Sequence, residues 1–393
     1  MTQAPFELDP PTRILLGPGP SDVPARVLAA MARPTVGYLD SSYTALLEAL
    51  QPLLRMVFST SNEETLTITG AGTAAMEAAL FNVLERDDTV VACVHGYFGD
   101  RMRMVAERCG AHVVAVEAPW GQPSSPAALR EKLQSLSDVK VVCVPHGETS
   151  TGVVQPIEEL AEAAHAHGAL MVVDTVASLG GTEFLTDAWG VDVAYTGSQK
   201  CLSVPPGISP ITFGPRAMEV VRNRKTPVGS WYLDLLLNLQ YWHTPHRYHH
   251  TGPVNLTYAL YEGLRMLAEE GLDARIARTT RTAAALWAGL EAMGLELVVA
   301  PEHRLTTLTT VRIPAGIDDV KVRAYLMAHF GIEIAGGLGP FAGKAWRIGL
   351  MGASCSRRNL MLLLTALEEA LAAQGAPRSG GAGPAAASAR LAA

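Results

Sequence analysis

The residue in this sequence best suited to covalent chemistry is a lysine held by constraint rather than surrounded by charge. Lys200 ends the run Gly-Ser-Gln-Lys, and Pro205, Pro206 and Gly207 follow closely. A lone lysine is ordinarily a solvated surface group. In a polar, rigid connection beside an apolar run it can be desolvated, which lowers the amine pKa toward the range of a Schiff-base lysine. Asp174 lies 26 residues upstream and closes the apolar run Ala-Leu-Met-Val-Val-Asp. A carboxylate at the C-terminal end of a parallel strand faces the crevice where α/β proteins bind ligands. The plainer role for it is a helix N-cap, because Thr175 and Ser178 follow.

Thr-Gly-Ala-Gly-Thr at 69–73 lies between a strand-like run and a helical one. Free backbone N–H groups at such a helix start attract an anion. The stretch from Gly70 to Ala75 also satisfies a relaxed dinucleotide fingerprint, but the next strand run ends in His95 and Gly96 where a ribose-binding acid would be needed. That counts against a dehydrogenase. Arg347, inside the apolar run Ala-Trp-Arg-Ile-Gly-Leu, either snorkels at an edge or offers its fork to a carboxylate. The histidine-rich segment HTPHRYHHT (243–251) has no HExxH pattern and no nearby carboxylate or cysteine, so no metal site is expected. His146-Gly147-Glu148 likewise carries no hydrolase signature such as GxSxG. Arg101, Arg103 and Arg108 read as a solvated helix face.

The elements that must position these groups follow from periodicity. Seven apolar, β-branched runs precede residue 215: 65–69, 89–94, 112–116, 139–144, 169–174, 191–196 and 209–213. Most are separated by amphipathic helical stretches, the pattern of an α/β protein with a parallel sheet covered on both faces. Only 12 residues (197–208) join the sixth run to the seventh, too few for a crossover helix, so that pair is expected to be antiparallel. Helices are expected over about 255–295, then a smaller α+β unit with strands near 306–313 and 345–350. The expected organisation is an N-terminal arm (1–20), a large domain (21–272), a small C-terminal domain (273–373) and a disordered Gly/Ala/Pro/Ser-rich tail (374–393).

Composition narrows the class. With 393 residues the chain can bury a core unaided, and its net charge of −7 without a basic stripe argues against nucleic acid. Its five cysteines form no CxxC pair, as expected of buried thiols in a reducing compartment. No apolar run is long enough to span a membrane, and the first residues lack a signal-peptide pattern, so a cytoplasmic protein is expected.

Phosphate turn, strand-end acid and downstream lysine occur in the order of a pyridoxal 5′-phosphate (PLP) enzyme. LLGPGPSDVP (15–24), HGETSTGVVQP (146–156), VVDTVASLGG (172–181), YTGSQKCLSVPPG (195–207), RYHHTGPV (247–254) and WRIGL (346–350) make the resemblance specific. The chain resembles the alanine–glyoxylate/serine–pyruvate aminotransferases of class V, fold type I, from about residue 12 to 372. The resemblance implies a seven-stranded, mostly parallel sheet and amino transfer from alanine or serine to glyoxylate or pyruvate. It implies that Lys200 carries PLP and that Asp174 pairs with its ring nitrogen. It implies phosphate contacts from Ala71, Gly72, Thr73 and Gln199, a ring-oxygen contact from Thr149, and a substrate carboxylate at Arg347. It further implies a homodimer in which Tyr248 and Thr251 reach the phosphate of the neighbouring subunit.

Departures from the family pattern bear on substrate choice. Phe98 stands where relatives often place a tryptophan over the ring, and Ala71 where some have serine. Tyr38 stands where serine-using relatives carry histidine, and with Gly19 it is expected near the substrate. Without a clear second arginine, a small monocarboxylic donor is favoured. Ureidoglycine–glyoxylate aminotransferase is a close alternative; a PLP lyase or desulfurase on the same fold would need another catalytic group, and a cofactor-free binding protein or dehydrogenase on a similar sheet would be marked by a colourless protein or by NAD binding.

Overall fold

The computed structural model describes residues 8–393. The first part of the expected N-terminal arm, and of the stretch read as carrying no signal peptide, therefore lies outside the described residues.

All seven apolar runs form strands of one sheet. They are β1 (Glu64–Thr69), β2 (Thr89–Val94), β3 (His112–Glu117), β4 (Val139–Pro145), β5 (Leu170–Asp174), β6 (Val193–Tyr195) and β7 (Ile208–Phe213). Their order across the sheet is β1-β7-β6-β5-β4-β2-β3. Only β7 runs against its neighbours β1 and β6, as the short 197–208 connection requires; the other pairings are parallel. Every residue of β5 and β7 is buried, so both faces of the sheet centre are covered. Register aligns Asp174 with Pro145 on one side and Tyr195 on the other, which sets the carboxylate flush with the sheet's C-terminal edge.

Helix α1 (Gly72–Val83) leaves the end of β1, and α2 (Tyr97–Arg108) leaves the end of β2. Two long helices, α3 (Val254–Glu270) and α4 (Leu272–Ala292), then lead to a second apolar core. That core gathers Leu286, Trp346, Ile348 and Leu364 around an antiparallel sheet of β8 (Leu308–Arg312), β9 (Ala335–Gly336) and β10 (Ala345–Gly349). The chain's beginning belongs to it as well: Ile14–Leu15 pairs in parallel with Ile332–Glu333, and Leu16 is fully buried there.

The disordered tail expected over 374–393 is not what the structure contains. After α5 (Arg357–Ala372), residues Ala382–Ala392 form helix α6, which packs along α4. Gly289 and Gly383 allow the close approach: a Cβ on Gly289 would lie 3.0 Å from the Gly383 carbonyl, and Ala387 is fully buried. Low-complexity composition hid a small-residue packing face. No helix among the described residues is long and apolar enough to cross a membrane.

Candidate active site

A cleft at the C-terminal edge of the sheet collects residues from distant parts of the chain. Its walls include Ala71, Gly72, Thr73, Phe98, Arg101, Thr149, Asp174, Gln199 and Lys200. At one end, Gly70 turns the chain with φ +146°, where a side chain would strain the backbone and strike the Ala74 methyl. The Gly70 N–H is tied at 2.9 Å to the carbonyl of Gly207, the residue just before β7, which fixes the turn. Helix α1 begins immediately after, at an N-cap (Ala71) that offers no side-chain acceptor. Its first-turn N–H groups are left for an anion.

Asp174 sits at the floor. Its carboxylate accepts the Val176 N–H at 2.8 Å and the Tyr195 hydroxyl at 3.1 Å. Burial still dominates and pushes its pKa up to about 6. The N-cap reading and the ligand reading are therefore not exclusive: one oxygen serves the local turn, while the group as a whole waits for a cationic partner. Lys200 is 9% exposed, and burial draws its pKa down to about 8. Its Nζ donates to the Pro18 carbonyl. Gly19 presses on the same amine: a Cβ there would stand 2.6 Å from Nζ, and φ is +118°. The Lys200 loop is held from three directions. Ser21 Oγ donates to the Lys200 carbonyl at 2.7 Å, the Ala353 N–H donates to Ser203 Oγ at 2.7 Å, and Arg275 donates to the Cys201 carbonyl at 3.3 Å.

Arg347 is 7% exposed on β10 and reaches toward the cleft. Nε donates to the Gly336 carbonyl at 2.9 Å and Nη1 to the Thr149 carbonyl at 3.2 Å. Among the described residues no carboxylate lies within 4.0 Å of it. Burial lowers its pKa, partly offset by Glu148. A buried guanidinium with only neutral acceptors is an unfinished ion pair.

Glu148 is a residue that sequence reasoning left without a role. Fully buried, it accepts N–H groups of Phe98 (2.9 Å) and Gly99 (3.1 Å), and the Ser150 N–H and hydroxyl at 3.0 and 2.6 Å. It thus caps α2 from a distance of 50 residues and sets the angle of Phe98. A cap so far away in sequence leaves no local signal; only Gly96, whose Cβ would lie 2.4 Å from Glu148 Cγ, hints at a close approach.

Arg101 corrects the reading of a solvated helix face. Its guanidinium lines the cleft, donates to Thr73 Oγ1 at 3.2 Å, and lies 4.8 Å from the Phe98 ring centroid. Of the other expected site residues, Gly19 and Arg347 lie just behind this lining, against Lys200 and Thr149, whereas Tyr38, Tyr248 and Thr251 do not line it. Tyr38 packs on Tyr248 with centroids 5.1 Å apart, and Tyr248 and Thr251 are exposed. No cluster of three metal-ligating side chains occurs among the described residues.

A family model for class-V aminotransferases matches residues 14–344. The chain belongs to this family. The solved ureidoglycine–glyoxylate aminotransferase of Bacillus subtilis superimposes with a TM-score of 0.96 at 40% identity, covering 99% of this chain and 100% of that one. The alanine–glyoxylate aminotransferase structure from Nostoc sp. gives 0.91 at 45% identity, covering 94% and 98%. The alanine–glyoxylate aminotransferase of Callithrix jacchus is 42% identical over 367 residues, 92% of this chain and 88% of the relative.

Membership in the class-V aminotransferases implies PLP, and the residues of the cleft suit that group. A buried amine, an uncapped helix start and a strand-end carboxylate match an aldehyde, a phosphate and a protonated ring nitrogen in turn. Gln199 adds an orphaned buried acceptor, Oε1, beside Lys200.

Proposed function

We propose that this aminotransferase moves an amino group from a small amino acid, alanine or serine, to glyoxylate or pyruvate, with PLP carried on Lys200. The observation that carries the substrate class is Arg347, a buried cation lacking a carboxylate and close enough to Lys200 for its charge to lower the lysine's pKa. A substrate α-carboxylate bound there in a fork would complete the ion pair and bring Cα toward the lysine amine.

Bound PLP supplies an electron sink for the charge left at Cα. The chain's residues supply the rest. Lys200 Nζ, drawn down to about 8, is partly neutral at mildly alkaline pH and takes the Cα proton as a general base. Asp174 gives the ring nitrogen an anionic partner. Phe98 would stack against the ring, Thr149 would contact its ring oxygen, and Gln199 would lie near the phosphate. Gly72, Thr73 and Ala71 hold the phosphate with backbone N–H groups. A cysteine-based desulfurase reading is disfavoured, because burial raises the pKa of all five thiols and holds them in the unreactive form.

A second donor, (S)-ureidoglycine, is favoured by the near-complete superposition on the Bacillus subtilis enzyme. The active unit we propose is a homodimer. Trp231 (61% exposed), Tyr232, Leu236 and Tyr248 (57%) present aromatic and apolar surface around the segment expected to serve the second subunit. A steady-state screen tests the reading: alanine, serine, (S)-ureidoglycine, aspartate and glutamate as donors, each with glyoxylate and pyruvate. The expected result is ping-pong kinetics with a monocarboxylic donor. Preference for aspartate or glutamate, or no turnover with any pair, would overturn it.

A further inference from the structure

Two helix N-termini meet at the cleft, and they are treated differently. That of α2 is satisfied by the Glu148 carboxylate, while that of α1 has no side-chain cap. Arg101 adds a full positive charge beside the uncapped one, through its 3.2 Å bond to Thr73 Oγ1. A cation next to the positive end of a helix is unfavourable by itself. Among the described residues no carboxylate lies within 4.0 Å of Arg101, although Asp100 and Glu107 on the same helix both pair with Arg103. Because Thr73 Oγ1 accepts from Arg101, the Thr73 hydroxyl proton stays free to donate elsewhere. Arg101 is also held in place, 4.8 Å from the Phe98 ring centroid and 5.1 Å from that of Tyr97.

We propose that Arg101 is a cationic ligand of the cofactor phosphate, completing an anion site with Thr73 and the N-terminus of α1. The proposal rests on the reading of the cleft as a PLP site and deepens it. It also keeps the small monocarboxylic donor in place, because it assigns the cleft's second guanidinium to the phosphate and not to a substrate side chain.

The test uses full-length protein stripped of cofactor, with binding followed by visible absorbance and near-ultraviolet circular dichroism. PLP is compared with pyridoxal, which lacks the phosphate, and inorganic phosphate serves as a competitor. In Arg101→Gln, affinity for PLP should fall roughly 10-fold or more, the loss of one charge-assisted contact. Pyridoxal affinity should change by less than about 2-fold, and competition by phosphate should weaken in parallel with PLP. Arg101→Lys, which keeps the charge, should recover part of the loss. Equal weakening of PLP and pyridoxal would overturn the proposal in favour of a role in packing Phe98, and unchanged PLP affinity would overturn it outright. A wild-type protein that binds no PLP would instead overturn the site reading from which the proposal starts.

Discussion

The strand-end cleft and the segment from Trp231 to Thr251 are built in opposite ways. In the cleft the reactive groups are buried and complete one another within a single chain: Asp174 is 3% exposed, and Lys200 is clasped by Pro18 and Ser21, while Ala353 holds its loop at Ser203. The second segment is split residue by residue. His249 stacks on Trp231 at 4.3 Å and donates from Nε2 to the Trp231 carbonyl at 3.2 Å. Its Nδ1 is hydrogen-bonded to His250 Nδ1 at 2.8 Å, and His250 Nε2 to the Thr69 hydroxyl at 2.9 Å. Burial lowers the His250 pKa to about 4, and its bond to Thr69 tethers the segment to the phosphate turn. Tyr248 and Thr251, on either side of these histidines, face outward. One short motif thus anchors itself with its histidines and leaves its hydroxyls for another surface.

The largest expected effect falls on the self-contained cleft. Lys200→Ala should abolish transamination, by roughly 1,000-fold or more for loss of both the covalent attachment and the base. Borohydride reduction of the wild type should fix the cofactor to the peptide containing Lys200. Label on another lysine would break the contrast at its root.

Burial of that lysine also has a stability cost with a defined pH window. Its pKa falls from an ordinary 10.5 to about 8, so between these values the unfolded chain holds a proton that the folded chain has released. The penalty is full below about pH 8 and disappears as pH rises toward 10.5. Lys200→Met should therefore stabilise the cofactor-free protein at pH 7 by up to ~3 kcal/mol, less the lost bond to Pro18, with the advantage fading by pH 10. Denaturant titrations at both pH values check this; an advantage independent of pH would show that the amine is not desolvated.

Arg347→Ala should lower kcat/KM for alanine by roughly 30-fold or more while PLP stays bound. Unchanged kinetics would remove Arg347 from the site. The smallest effect belongs to the outward-facing hydroxyls. Tyr248→Phe with Thr251→Ala should weaken PLP retention by about 10-fold or more without preventing attachment. Mixing those chains with Lys200→Ala chains sharpens the comparison. If sites are shared, each mixed dimer holds one site free of both defects, and its PLP affinity should be restored. No restored site in verified mixed dimers, or a monomer at working concentration, would end the shared-site reading.

Local patterning alone settles a large part of this protein's architecture. Strand-length apolar runs separated by helical periods have one economical arrangement, and a 12-residue connection cannot cross a sheet, so both the sheet and its single reversed strand were legible. Lys200, Asp174 and the glycine turn were legible too, because a strand end and a helix start are local events. What sequence reading could not supply depends on distance through space. Arg101 looks like any solvated helix arginine until α1 and α2 converge and bring Thr73 under it. Glu148 becomes a helix cap only once β2 and β4 lie side by side. The tail becomes a helix because Gly289 and Gly383 let two backbones approach, a packing gain that its composition does not announce. Local propensities are written along the chain, whereas charges without partners and surfaces that fit exist only between segments that folding brings together.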